Sequence, residues 1–405
     1  MNYNLLFNRL LVGLAFVIPL SIAGYNIVLG LLSITWLLEG KWREKWNLIR
    51  QQPVFKGMLI YFGFVVLSLL WTENLDSGWH YIKQYYIFLA LPILYSSINR
   101  DYIPQILSAF LGAMIISEIF SYLIFFDVMP FQLKSNWSPS DPSPFMMHSI
   151  YSLFLVFSIF LMIIRMAYEK RSRIQAILYT FFIITMTMNL FLNSGRTGQF
   201  AFFLALIVFI YLYYEFHWIK SLLLGIVISS IVFTISYLIS PNFQNRTNET
   251  IQSIIHTYDY QEAKNDSTGQ RFMMCQVASE VIWQNPLIGV GIGDERDSYH
   301  HVLNCSFPKL KTYIIGFSDL HNTYLKVFAS TGIIGLLLFI WIFYTLFKEL
   351  DDNNEIKAIG GVLLTLLLQY MFIGNFPASY LTILFLFIIS FTLKHPHNLK
   401  VGTSI

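Results

Sequence analysis

The chain has 405 residues, of which 56% are hydrophobic, 17% aromatic and only 12% charged, with a formal net charge of +3. Soluble proteins carry about 25% charged residues, so a water-soluble globular protein is excluded, and so small a net charge with no basic tail points away from nucleic acid. Two cysteines are too few for a disulfide scaffold or a multi-cysteine metal site.

A helix needs about 20 apolar residues to cross a bilayer. Runs of this kind predict spans at 7–23, 25–40, 55–71, 81–98, 104–125, 148–166, 174–192, 199–214, 219–239, 322–347, 356–373 and 379–394. The first pair is the least distinct, because only Gly24, Tyr25 and Asn26 separate the short runs on either side. No small-residue cleavage site follows the first run, so it reads as a retained span rather than a removed signal.

Lys and Arg set the orientation. With the N-terminus inside, the short inner loops hold Lys41, Arg43, Lys45, Arg50 and Lys56, then Arg100, then Arg165, Lys170, Arg171 and Arg173. Lys220, Lys348, Lys357, Lys394 and Lys400 follow on the same side, whereas the short outer loops hold only Lys134 and Arg196. The expected fold class is an all-α polytopic membrane protein of about twelve transmembrane helices with both termini cytoplasmic. Residues 1–239 carry the first nine helices, 240–321 an outer loop domain, and 322–405 the last three helices and a tail.

The outer segment is too long and too patterned for a linker. Ile251, Ile254, Ile255 and Tyr258 recur at helical spacing and predict an amphipathic helix over 249–263. Ser267 followed by Gln270 has the form of a capping box. It predicts a second helix from about 268 to 284, stopped by Asn285-Pro286, with Arg271 in its first turn. The apolar residues of that helix (Phe272, Val277, Ala278, Val281, Ile282, Trp283) spread over much of its circumference. It should therefore lie on the membrane surface or pack on the bundle. Residues 126–147, rich in Pro and Ser, read as an irregular lid or re-entrant loop before the span that starts at His148.

Several polar residues could carry chemistry. Asn193-Ser194-Gly195-Arg196-Thr197-Gly198 interrupts two apolar runs on the face where positive residues are depleted. Its glycines permit close backbone approach, and Arg196 can present a planar fork to a phosphate. The alternative is a Ser/Gly turn with an interfacial Arg. Arg271, near a helix N-terminus that itself favours anions, could form half of a diphosphate clamp, or be a surface Arg. Gly289 to Asp294 (GVGIGD) resembles a nucleotide loop but follows a helix stop rather than a strand, and reads instead as a flexible turn returning the chain over the site.

His256, His300, His301 and His321 share the outer segment with Cys305, but no pair among them is read as having the i, i+4 spacing of a helical zinc site, so no metal is expected. Cys275 and Cys305 could pair or pack; the spacing does not choose. Lys83, near the outer end of its span, could hold an anionic headgroup or simply snorkel. Glu118 reads as a carboxyl paired inside the bundle. His321 precedes a long apolar helix, where Ser318 or Asp319 as N-cap would put the imidazole in the first turn. A positive helix end disfavours imidazolium, and a neutral ring is what a general base requires.

The order of these motifs resembles a known family: S-G-R-T-G between two spans, an Arg-bearing helix in a long outer loop, N-P-L-I-G-V-G-I-G, then D-L-H-N-T-Y-L and G-I-I-G-L. The chain is similar in layout, over about residues 55–375, to the O-antigen ligase superfamily, which also holds O-antigen polymerases and protein O-oligosaccharyltransferases. The resemblance implies a GT-C-like membrane glycosyltransferase of the bacterial inner membrane, with its active site facing the periplasm and neither metal nor other cofactor. Its implied partners are an undecaprenyl-diphosphate-linked glycan, a lipid A-core acceptor and the bilayer. By motif match, Arg196 and Arg271 correspond to the family's diphosphate-binding arginines and His321 to its essential histidine. Lys83, Asp319, Asn322 and His148 stand as secondary candidates. Within the superfamily the alternatives are a polymerase or a protein-glycosylating enzyme. Outside it, the rival is a flippase or transporter for the same lipid-linked glycan, against which the absence of internal repeats counts.

Overall fold

The computed structural model describes residues 2–129, 138–215, 217–255, 267–314, 320–377 and 379–395. Among these, the regular structure is helical, with two isolated bridges and no strand. The first seven helices are α1 (Tyr3–Val17), α2 (Ile22–Glu39), α3 (Trp42–Gln51), α4 (Pro53–Leu67), α5 (Leu75–Gln84), α6 (Ala90–Ser97) and α7 (Ile103–Phe125). Then come α8 (His148–Tyr168), α9 (Arg173–Leu192), α10 (Arg196–Tyr214) and α11 (Trp218–Ile239). The long segment after α11 supplies α12 (Pro241–Ile255), α13 (Ser267–Gln284), α14 (Glu295–Cys305) and α15 (Pro308–Ile314), followed by α16 (Thr323–Lys348), α17 (Asn354–Tyr370) and α18 (Ser379–Thr392).

Among the described residues, eight helices are long and apolar enough to cross a membrane: α2, α4 with its 3-10 extension to Leu70, α7, α8, α9, α10, α11 and α16. The other four predicted spans take different forms. α1, α17 and α18 are shorter, with 15, 17 and 14 residues. The predicted span at 81–98 is broken, because α5 gives way to a 3-10 stretch at Tyr85–Leu89 before α6 resumes. Burial sorts the helices: 83% of the apolar window of α8 is buried against 6% of that of α11. A helix that is apolar all round belongs in a core or in lipid, and α11 has no core around it.

The segment between α11 and α16 has its own apolar core. Met273, Met274, Val277 and Val281 of α13 are buried with Tyr299 and Leu303 of α14, Leu310 and Ile314 of α15, Leu320 just before α16 and Ala329 within it. Of the two placements expected for the Arg-bearing helix, packing on the bundle is the observed one. Phe272 and Trp283 remain exposed. The predicted helix at 249–263 begins earlier, at Pro241, because Ser240 Oγ accepts the Phe243 N–H at 3.2 Å and so starts the turn. Ile251 and Ile255 are exposed, and Tyr258 lies outside the described residues, as does the Ser267 side chain of the expected capping box.

The glycine run is not a flexible turn. Residues 286–291 lie along α16 where that helix is interrupted at Gly332, with φ 65° and ψ −169°. Val290 N–H donates to Ala329 O at 2.9 Å and Gly291 N–H to Ser330 O at 3.0 Å, while Ile333 N–H donates to Pro286 O at 2.9 Å and Ile334 N–H to Leu287 O at 3.4 Å. Every group the break frees at these positions is thereby satisfied, which is the condition for irregular backbone inside a bundle. The glycines allow the approach: a Cβ on Gly289 would come 2.4 Å from the Ser330 carbonyl carbon. A turn read as mobile from its glycines is a packed seam that fastens α13 and α14 to α16.

Candidate active site

Arg196 is the first residue of α10, and the S-G-R-T-G turn is wired on every side. Asn193 Oδ1 accepts the Gly195 N–H at 2.9 Å, Asn193 Nδ2 donates to Ser143 Oγ at 2.8 Å, and Ser194 Oγ donates to Ser140 O at 3.0 Å. Gly195 and Gly198 press on Ser152 of α8, where any Cβ would come within 2.5 Å of the serine. Gly198 N–H donates to Ser152 Oγ at 3.1 Å. The predicted lid is thus, over residues 138–145, a plug seated between this turn and the bundle. The guanidinium of Arg196 donates through Nη1 to Thr250 Oγ1 of α12 at 3.0 Å, while that hydroxyl itself donates to Arg246 O at 2.8 Å.

Arg271 is half-buried on α13. Because the helix begins at Ser267, Arg271 opens the second turn rather than sitting in the first. Its charge reaches the Tyr370 hydroxyl at the end of α17. α12 packs on α13, and α13 packs on α16, so Arg196 is linked to Arg271 through one intervening element.

His321 is half-buried and stands outside α16 rather than in its first turn. The N-cap is Asn322, whose side chain accepts the Leu325 N–H at 3.0 Å and donates to Phe372 O at 3.1 Å. An asparagine adjacent to the helix satisfies the free N–H groups more directly than Ser318 or Asp319 would; both of those lie outside the described residues. Thr323 fixes the same corner, its hydroxyl donating to Gly374 O at 2.8 Å and accepting the Phe376 N–H at 2.9 Å. His321 itself adopts a left-handed backbone, with φ 45°. Such a conformation costs about 1–2 kcal/mol for a residue with a Cβ, and strain of this kind clusters at functional positions.

His321 and Asn322 thus stand where α16 starts and α17 ends, Arg271 lies on the helix that packs against α16, and Arg196 is one helix further away. Lys83 is exposed at the end of α5, on the wall of an apolar groove. His148 is at the start of α8, its Nδ1 3.0 Å from Asp141 Oδ2. Burial raises the Asp141 carboxyl, but the hydrogen bond and charge of His148, with Ser143 and Arg246, outweigh it and hold the group below the ordinary carboxylate range. Sequence reasoning passed over Asp141, Thr250, Tyr370 and Lys326. Only Lys326, a charge in the first turns of a long apolar helix, had a signal to find.

Among the described residues, no three of His, Cys, Asp and Glu are arranged to hold a metal ion. His301 and Cys305 do stand one turn apart on α14, at i, i+4, with Sγ 3.9 Å from Nε2, which corrects the sequence expectation that no such pair exists. Cys275 and Cys305 are both free thiols, and burial pushes the Cys275 thiol up. Glu118 is buried in α7, where the neighbour acting on its carboxyl is the Thr185 hydroxyl of α9 rather than a cation.

Fold and site together define a multi-pass, all-helical membrane protein with a cationic, histidine-bearing corner. Residues 181–340, which hold Arg196, Arg271 and His321, match the family described as O-antigen ligase, and this match supports membership of the O-antigen ligase superfamily. Members of that family are membrane glycosyltransferase-like enzymes. The chain is also 26% identical over 366 residues, 87% of its length and 88% of the relative's, to an uncharacterised protein of Haemophilus influenzae.

Proposed function

We propose that this protein is an O-antigen ligase, transferring a glycan from undecaprenyl diphosphate to the lipid A-core at the periplasmic face of the inner membrane. On this reading both termini are cytoplasmic and α12 to α15 lie in the periplasm, as the distribution of Lys and Arg favours. The acceptor hydroxyl oxygen bonds to the anomeric carbon as the bond from that carbon to the diphosphate oxygen breaks, so the carbon inverts. The bonding pair leaves with the diphosphate, and the hydroxyl proton passes to a ring nitrogen of His321. Arg271 and Arg196 stabilise the charge that builds on the leaving diphosphate, where many phosphoryl-group enzymes use a divalent ion.

The observation that carries this reading is the packing of the Arg-bearing helix onto the start of α16, the helix that His321 precedes. Met273, Met274 and Val277 share an apolar core with Leu320 and Ala329, so Arg271 and His321 belong to one unit set at the end of α17. Preorganised charge around a base is what the transfer needs. The rival transporter reading would use a discontinuous helix lining a cavity, and α16 is discontinuous. Its break, however, is filled by the backbone of residues 286–291.

The test is transfer in vitro with purified protein, lipid-linked glycan and either lipid A-core, a second lipid-linked repeat unit or a protein acceptor. Product on lipid A-core alone supports the ligase. Product only on a second repeat unit makes it a polymerase, and product only on protein Ser/Thr makes it a protein-glycosylating enzyme.

A further inference from the structure

The stretch that joins α13 to α14 differs in kind from the rest of the long segment after α11. From Val281 to Gly293 it carries no charged side chain, and its large apolar groups are left uncovered. Trp283 is 77% exposed, Leu287 65% and Ile288 42%, although Val281 and Ile282 just before them are buried. The backbone, by contrast, has its carbonyls taken. Asn285 O accepts the Gly289 N–H at 3.1 Å, Pro286 O the Ile333 N–H at 2.9 Å and Leu287 O the Ile334 N–H at 3.4 Å, and Pro286 has no N–H to satisfy.

This patch adjoins the outward face of α16. After the break at Gly332, Ile334, Leu337, Ile340, Tyr344 and Phe347 are exposed at helical spacing, the apolar stripe of a helix that faces lipid. Before the break no residue from Thr323 to Thr331 is exposed. At about 1.5 Å per residue the stripe from Ile334 to Phe347 is roughly 20 Å long, against about 30 Å for the hydrocarbon core of a bilayer. The stripe is therefore too short to match the core by itself. Leu287 and Ile288 stand at its Ile334 end, fastened there through the backbone.

We propose that residues 283–288 form a re-entrant anchor set into the bilayer leaflet nearest His321, with Leu287 and Ile288 among the upper acyl chains and the Trp283 ring at headgroup level. Lipid is the occupant because the patch continues a lipid-facing stripe and offers no charge for a protein partner to pair. A tryptophan suits the membrane–water interface. Gln284 and Asn285 are exposed beside it, and their amides limit the depth to the boundary between headgroups and chains. Irregular backbone at membrane depth needs its polar groups satisfied, and the seam with α16 does this for the Pro286 and Leu287 carbonyls. The anchor then fixes one end of the Arg-bearing helix at the membrane surface, with Arg271 roughly 18 Å further along the helix axis. The inference rests on the chain crossing a bilayer and not on the reaction proposed above.

The experiment is spin labelling of the full-length chain in phosphatidylcholine vesicles, with Cys275→Ala and Cys305→Ser removing its two cysteines. Nitroxides are attached singly at Leu287→Cys and Ile288→Cys, both at exposed positions, so that either reads the patch if the other variant fails to fold. Leu337→Cys on the stripe of α16 gives the lipid reference, and Lys309→Cys, exposed on α15, the water reference. Collisions with apolar oxygen and with a water-soluble nickel chelate are measured at each label. We expect the oxygen-to-nickel ratio at 287 and 288 to lie nearer that at 337 than that at 309, and severalfold above the latter. A ratio nearer that at 309 overturns the proposal, because the patch then faces water. Exclusion of both reagents also overturns it, because a second copy or another protein then covers the patch. Glycosyl transfer is assayed separately, so its absence refutes the ligase reading and leaves the accessibility result standing.

Discussion

Gly332→Ala probes the joint that holds the site together. Gly332 combines φ 65° with ψ −169°, a region essentially confined to glycine, where another residue costs about 1–3 kcal/mol. The new methyl would also come 2.2 Å from Leu287 O and 2.4 Å from Ile288 N. Both are backbone atoms, so no side chain can rotate to relieve the clash, and overpacking adds about 1–3 kcal/mol. If the seam holds, the variant carries at least about 2 kcal/mol of strain, roughly a 30-fold shift toward an undocked state. If it opens, the four backbone bonds between 286–291 and 329–334 are lost, each worth about 0.5–1.5 kcal/mol. Either way α13 should dock less firmly on α16, and Arg271 should drift from His321. We expect limited proteolysis in nanodiscs to cut residues 285–295 readily in Gly332→Ala, and glycosyl transfer to fall by about tenfold or more. Gly30→Ala, where nothing lies within 4 Å of the added Cβ, should match wild type in both assays. A Gly332→Ala protein with wild-type protease resistance and transfer would refute the reasoning.

Three further outcomes are expected. Arg271→Ala should insert and accumulate normally yet lose transfer, and His321→Gly should do the same while melting slightly higher than His321→Ala, because glycine accepts φ 45° without the cost of a Cβ; a lower melting point for the glycine variant would count against strain at this residue. Thr250→Val, which removes one acceptor for Arg196 Nη1, should weaken donor binding by about two- to tenfold, read as a raised KM with kcat changed less; an unchanged KM would remove Thr250 from the positioning of Arg196. The folded-state pKa of Asp141 lies below its ordinary value, so its stabilisation is present above the ordinary aspartate range, near about 3.9, and is lost as pH falls through the lowered value. Hydrogen exchange of residues 138–147 should accordingly rise only at strongly acidic pH in wild type and be pH-insensitive over that range in Asp141→Asn.

The apolar helices were legible because their signal is composition over long windows. The break after Gln84 was not, since it depends on tertiary packing and leaves no Pro or Gly signature at the break itself. Arg196 and His321 stand out in the sequence as a cation and a titratable ring at the edges of apolar runs, and Arg271 as a cation on a helix of the long loop. Their register was less so: Asn322, not Ser318 or Asp319, caps α16, because its side chain serves both Leu325 and Phe372, and the second contact is not encoded locally. The glycine run was misread as mobile, since glycine permits both a flexible turn and the closest packing, and only the partner strand of backbone decides between them.

The most direct test is glycosyl transfer by purified full-length protein with undecaprenyl-diphosphate-linked glycan and lipid A-core in EDTA, wild type against His321→Ala. We expect product with wild type in the presence of the chelator, and a loss of about 10²-fold or more in His321→Ala while its melting behaviour stays near wild type. Transfer by His321→Ala at the wild-type rate, or movement of the lipid-linked glycan across the bilayer with no transfer to any acceptor, would contradict it.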